Sequence, residues 1–356
     1  DQVFVESECA SDRAPDLADL DAVRQARTEV IALVVHEDLG LVLEAPESRA
    51  VDDAVAVALK GATVLVLVLA EAASTGRRGP LGKARQIVHL LRSAGVPAMA
   101  GLDTRALARH LRQSGSLRGV ITAPGETDPE AAVAAARAVP VWEEQDFVSR
   151  VSAAAPYEVG DRGPVVAVID LGLKTSIVRS LRRRGARVRV YPHTVGVERV
   201  LEPDVDGVVI SPGPGDPGLL DTQVALARAV IDDGRPLLGI CLGHQIVARA
   251  AGAQTRRLPF GHHAANHPVR DEVSGVVTVT AQNHEVAVVA DSLPTESGFY
   301  VSQRNLNDGT VEGLRHHAKP IETVQYHPEG SPGPLDAAEV FDRFLGHVRA
   351  HAPARR

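Results

Sequence analysis

Aromatic residues are almost missing from the first part of this 356-residue chain: none lies between Phe4 and Trp142. Aromatics supply large blocks of buried area, so a domain built from that stretch must fill its core with Val, Leu, Ile and Ala. Cysteine is scarce too, two residues in all. Two cysteines cannot make a disulfide framework, and no Cys/His cluster has zinc spacing. This usage suits a reducing cytoplasm, the expected location. Long apolar runs are missing; "ATVLVLVLAEAA" at 62–73 is too short for a membrane span and ends in polar sequence. The first residues lack the basic-then-apolar layout of a secretory signal. An excess of positive charge is missing as well. The net charge is −7, which gives no reason to expect nucleic acid or an anionic membrane as partner.

What is present is a regular alternation. The length allows two domains. Residues 1–50 read poorly, with a helix in "DLADLDAVRQART" and short strands in "VIALVVHE" and "GLVLEA". "GATVLVLVLAEA" predicts a buried strand, "GKARQIVHLLRSAG" and "TRALARHLRQSG" helices, and "RGVITAP" a strand before an Ala-rich helix. "SAAAPYEVGDRGP" marks a linker, so the division is 1–151, a linker at 152–164, and a second domain at 165–352. Beyond the linker, "VVAVID", "ARVRVYP", "DGVVIS", "PLLGI" and "IETVQYH" are strands separated by helical segments. That βαβ spacing predicts an α/β domain with a parallel sheet covered on both faces. Ligands of such sheets bind at the carboxyl ends of the strands.

Cys241 stands at one such end, in "LLGICLGHQ" (237–245). Gly239-Ile240-Cys241-Leu242-Gly243 is the cysteine version of the G-x-S-x-G corner. There the sulfur projects above the sheet edge at a helix N-terminus, whose dipole favours thiolate. The Leu242 N–H faces the oxygen of a substrate carbonyl. A buried structural cysteine is the competing reading. A thiol nucleophile needs a base. "QYHPE" supplies His327 at the end of a predicted strand, with Glu329 two residues on to orient it. The loop "SPGPGDP" follows another strand; it reads either as a stiff turn or, through Gly213 and Gly215, as a second oxyanion donor. It lacks the Gly-Lys-Ser/Thr ending of a phosphate loop, so no ATP site is expected there. "FGHHAANHP" (260–268) holds three of the fourteen histidines. No acidic or cysteine partner accompanies them, so it is read as a loop near the site mouth and no metal is expected.

"GICLGHQ", "SPGPGDP" and "QYHPE" together resemble the class I (triad) glutamine amidotransferases. "FGHHAANHPV", "TAQNHEVAV" and "HPEGSPGPLDA" narrow the resemblance to the small, glutaminase subunit of carbamoyl phosphate synthetase, over about 101–344. The resemblance implies an N-terminal small-subunit domain followed by a flavodoxin-like amidotransferase domain with a mostly parallel central sheet. It implies that Cys241 attacks glutamine to form a thioester, that His327 moves the proton, and that Glu329 orients it. Leu242 with Gly213 and Gly215 would hold the oxyanion, and Gln245 and Asn283 the substrate. It implies no cofactor in this chain; ATP, Mg and bicarbonate belong to a large partner chain that receives ammonia through a tunnel and makes carbamoyl phosphate for arginine and pyrimidine synthesis. Service to a different synthetase, or a non-catalytic regulatory role, are the alternatives. Two departures stand out. Glu285-Val286 occupy the place of the family's usual Gly-Phe, putting a carboxylate beside the expected pocket. Residues 1–80 lack the family's serine-bearing segment that contributes to the glutamine site.

Overall fold

The structure is a computed structural model. It describes the strand segments 33–36, 41–43, 56–58 and 65–67 and residues 104–115, 117–121 and 129–352. The expected helices at 16–28 and 82–95 and the chain's last four residues lie outside these. Contacts divide the chain into two compact units, 1–142 and 143–356.

In the first unit, β1 (Leu33–His36) pairs antiparallel with β2 (Leu41–Leu43). On its other side it pairs with β5 (Arg118–Ile121), also antiparallel. β3 (Ala56–Ala58) and β4 (Leu65–Leu67) form a separate pair. The helices α1 (Thr104–Ser114) and α2 (Pro129–Ala138) fall where the sequence places them. Leu107, Ala132 and Ala136 are buried, an aliphatic and small-residue filling.

The second unit is built on a ten-stranded sheet. A short helix α3 (Val148–Val151) opens it, with Val148 in the core. The expected linker contains an edge strand, β6 (Tyr157–Val159), paired antiparallel with β8 (Arg187–Pro192). The parallel strands are β7 (Val165–Asp170), β8 (Arg187–Pro192), β9 (Gly207–Ile210), β10 (Leu237–Ile240) and β15 (Ile321–Val324). Numbered along the chain, their order across the sheet is 2-1-3-4-5, the flavodoxin-like doubly wound arrangement. Every residue of β7 is buried. Val165, Ala167 and Ile169 pack on one face, Val166 and Val168 on the other. Period-two alternation feeds two cores at once.

Helices cover both faces. α4 (Thr175–Arg183) and α8 (Glu339–His351) bury Ile177, Leu181, Phe341, Phe344 and Val348 on one side. α6 (Asp221–Asp233) and α7 (Leu242–Ala250) bury Leu226, Val230, Ile246 and Val247 on the other. Each fully buried aliphatic side chain of this kind stabilises by about 1.5–3 kcal/mol relative to exposure. A short helix, α5 (Val197–Val200), links β8 to β9.

Between α7 and β15 the chain leaves the βαβ pattern. β11 (Thr255–Asp271), β12 (Val277–Val288), β13 (Phe299–Asn305) and β14 (Val311–His316) extend the sheet with antiparallel strands. The segment 260–268, expected to be a loop, is therefore strand: it lies within β11, with His262 opposite His284 and His263 opposite Asn283. Pairing with β12 satisfies its backbone, a long-range gain that local composition does not signal. Among the described residues, no helix is long and apolar enough to cross a membrane.

Candidate active site

The corner after β10 is as tight as its glycines imply. Cys241 precedes α7 with φ 53 and ψ −104, a positive φ that only one other non-glycine described residue, Ser331, shares. Strain of this kind persists only where neighbours enforce it. The Cys241 N–H donates to the Val324 carbonyl at 2.8 Å, tying the corner to β15. A Cβ on Gly239 would stand 2.7 Å from the Gly243 carbonyl oxygen, and one on Gly243 would stand 2.1 Å from that of Ile210. Neither position has room for a side chain. Leu242 is the first residue of α7, where N–H groups have no intrahelical acceptor and favour an anionic oxygen.

Cys241 is 4% exposed, and its thiol lies 3.8 Å from both the Asn283 backbone carbonyl oxygen and the Gln325 side-chain amide nitrogen. The His327 imidazole is close enough to the thiol to interact with it electrostatically. His327 lies just past β15, and its N–H donates to the Ala281 carbonyl of β12 at 2.9 Å. Its Nδ1 meets Glu329 Oε1 at 2.7 Å. Burial disfavours the charged ring, but Glu329 and Cys241 outweigh it and raise its pKa well above the ordinary histidine value. Burial likewise disfavours the Glu329 carboxylate, and His327 and Lys174 prevail, holding its pKa below the usual range. The three groups that the sequence places at strand ends thus gather at one place: the imidazole bonds the carboxylate and interacts with the thiol.

Lys174 was not anticipated. Its Nζ lies 2.9 Å from Glu329 Oε1 and donates to the Gly330 carbonyl at 2.7 Å. The available signal was its place just beyond the carboxyl end of β7, on the edge where such sheets bind ligands. Gln325, also unanticipated, accepts from Gln245 Nε2 at 3.1 Å. Gln245 Nε2 further donates to the Val286 carbonyl at 2.7 Å. Both its N–H bonds go to protein acceptors, so contact with a ligand falls to its carbonyl oxygen.

Asn283 sits beside the thiol, and its side-chain oxygen meets His263 Nδ1 at 3.0 Å. Gly213 and Gly215 lie on the loop after β9. A Cβ on Gly213 would stand 2.1 Å from the Leu171 carbonyl oxygen, and Gly215 has φ +97. This loop meets the β7 loop where the strand order reverses, the usual ligand crevice of a doubly wound sheet. Glu285 shares the Asn283 face of β12, by strand alternation. Its carboxylate is buried and pairs with Arg257 at 3.3 Å, and Arg257 also pairs with Glu143. The charge expected to trouble the pocket has a cationic partner.

Such a set can perform acyl transfer from an amide: a thiol nucleophile, an oriented base, and backbone donors at a helix N-terminus. Comparison with known proteins agrees. The glutamine amidotransferase class-I family pattern matches residues 167–347. The carbamoyl phosphate synthase small chain of Symbiobacterium thermophilum is 46% identical over 274 residues, 75% of this chain and 74% of that one. That of Bacillus caldolyticus is 45% identical over 73% of this chain and 70% of its own length. That of Methanopyrus kandleri is 43% identical over 77% and 76%.

Proposed function

The chain belongs to the carbamoyl phosphate synthase small-chain family of class-I glutamine amidotransferases, and from that premise we propose that it hydrolyses glutamine at Cys241 and delivers the ammonia to a large synthetase chain. The observation that carries the reading is the strained corner at Cys241 facing the His327–Glu329 pair. The sulfur attacks the side-chain amide carbon of glutamine and forms a C–S bond. Its proton passes to His327. The oxyanion rests on the Leu242 N–H and on the loop bearing Gly213 and Gly215. His327 then protonates the leaving nitrogen, the C–N bond breaks, and ammonia departs. Water, losing a proton to His327, cleaves the thioester; glutamate leaves and the thiol is restored. Gln245 and Asn283 hold the substrate. ATP, Mg and bicarbonate act on the large chain, and the complex works in the cytoplasm, in line with the chain's cysteine usage.

The direct test is glutamate release from glutamine, with and without a large synthetase chain plus ATP and bicarbonate. Strong stimulation by that chain is expected. Slow hydrolysis indifferent to the partner would keep the triad and remove the coupling.

Lys174 acts as a positioning residue, because it touches Glu329 and not the thiol. Lys174→Met is expected to lower kcat by about tenfold, the effect of about one pKa unit on the buried pair, with KM nearly unchanged. The sign of the pH effect follows from Glu329. Its pKa is depressed in the folded protein, so removing the cation lets it rise, and the acid limb of kcat/KM moves to higher pH. A pH profile that keeps its acid limb would assign Lys174 to stability alone.

Arg257 offsets the unusual Glu285 carboxylate. Arg257→Gln is expected to raise KM for glutamine several-fold, by uncovering a charge that repels the substrate's carboxylate. Adding Glu285→Gln is expected to restore it. Failure of the double variant to recover would mean that Glu285 does not act on the pocket.

A further inference from the structure

On the face of the β11–β12 ladder away from Asn283, three buried groups converge. They are His262 of β11, His284 of β12 and Glu312 of β14. One ligating atom from each lies within 4.8 Å of the others. His262 and His284 are each 6% exposed and Glu312 is 0% exposed. Neither ring nitrogen of His284 has a hydrogen-bond partner, nor does Nδ1 of His262. Unpartnered buried nitrogens on this scale are costly unless something binds them.

We propose that His262, His284 and Glu312 form a binding site for a divalent transition-metal ion of zinc-like preference. The surroundings are those of a finished site. His262 Nε2 meets Asp308 Oδ2 at 2.9 Å. That contact fixes the tautomer with Nε2 protonated and turns the Nδ1 lone pair inward, the carboxylate–histidine arrangement that supports metal ligands. Glu312 accepts from Asn305 Nδ2 at 2.7 Å and from Gln282 Nε2 at 2.9 Å, which hold its carboxylate in place. His262 Nδ1 and Glu312 Oε1 stand 3.8 Å apart. That is too long for a hydrogen bond and close to the spacing of about 3.4 Å between two ligands sharing a zinc ion.

The main competing account has no ion: a protonated His262 lies between Asp308 and Glu312 and balances their charge. It leaves both nitrogens of His284 unpartnered in the buried core, and the metal accounts for one of them. Two imidazoles and a carboxylate with an open fourth position suit zinc or cobalt(II) better than magnesium or calcium. Such an ion ties β11, β12 and β14 together behind Asn283, so its role is structural support of the substrate side of the ladder.

The test uses the full chain carrying Cys241→Ser, so that the thiol cannot bind metal. It is stripped with a chelator, then titrated with Zn²⁺ against a chromophoric competitor and with Co²⁺ by visible absorption. One equivalent is expected to bind, with the strong d–d bands of four- or five-coordinate cobalt and a higher melting temperature. Glu312→Gln and His284→Asn, each checked for folding by circular dichroism, are expected to weaken binding at least about 100-fold. Asp308→Asn is expected to weaken it about tenfold. If His284→Asn does not fold, the near-isosteric Glu312→Gln decides alone. No stoichiometric binding, binding unchanged in Glu312→Gln, or binding seen only when Cys241 is present overturns the proposal.

Discussion

Cys241→Ala is expected to lower glutamine hydrolysis by about 10⁴-fold or more while leaving a cooperative fold. The size of the loss follows from chemistry. Without the sulfur no thioester forms, and the oxyanion donors alone retain only a small part of the acceleration. The fold survives because only one atom leaves. The cavity costs about 1 kcal/mol, and the Cys241 N–H still donates to the Val324 carbonyl. The same position carries a second expectation. Cys241 is held at φ 53, so Cys241→Gly should melt higher than Cys241→Ala, by about 1 kcal/mol, as glycine enters that conformation without strain. Denaturant titration of both variants measures it. Equal stabilities would show that the corner holds no strain, and retained hydrolysis in either variant would end the thiol mechanism.

Gly243→Ala is expected to be far more damaging to the fold than to any one contact. Its Cβ would stand 2.1 Å from the Ile210 carbonyl oxygen, which is backbone and cannot rotate away. Helix α7 must then lift from β9 by about 1 Å, against close packing that resists such shifts. The cost is about 3 kcal/mol or more. Because α7 carries Leu242 and Gln245, activity falls with the displacement even where the protein remains folded. The unfolding midpoint and the rate of Cys241 alkylation, read together, separate the two effects. A variant with wild-type stability would mean that the corner is looser than its geometry shows.

The second unit was readable because its signals are local. β7, β9 and β10 are short runs of Val, Ile and Leu bounded by turns, and the helices between them keep their apolar residues at helical spacing. Cys241 was readable for the same reason: glycines two residues away on each side have one steric purpose. His327 and Glu329 were readable from the strand end that precedes them. The antiparallel extension was not. Its strands pair with partners far along the chain, and a run such as 260–268, rich in histidine and alanine, carries no strand pattern of its own.

The sequence by itself therefore determined the parallel core, the glycine-flanked corner at Cys241 and the strand end that carries His327 and Glu329, since each rests on short-range sterics and periodicity. Only the tertiary structure decided what surrounds them. It brought Lys174 to Glu329 across 155 positions and Arg257 to Glu285 across 28. It also set Glu312 against His262 and His284, supplying the acidic partner that the histidine-rich segment lacks nearby. These contacts depend on strand register and on which loops share an edge, and burial gives a charge or an unpartnered nitrogen its weight only after the chain has closed around it.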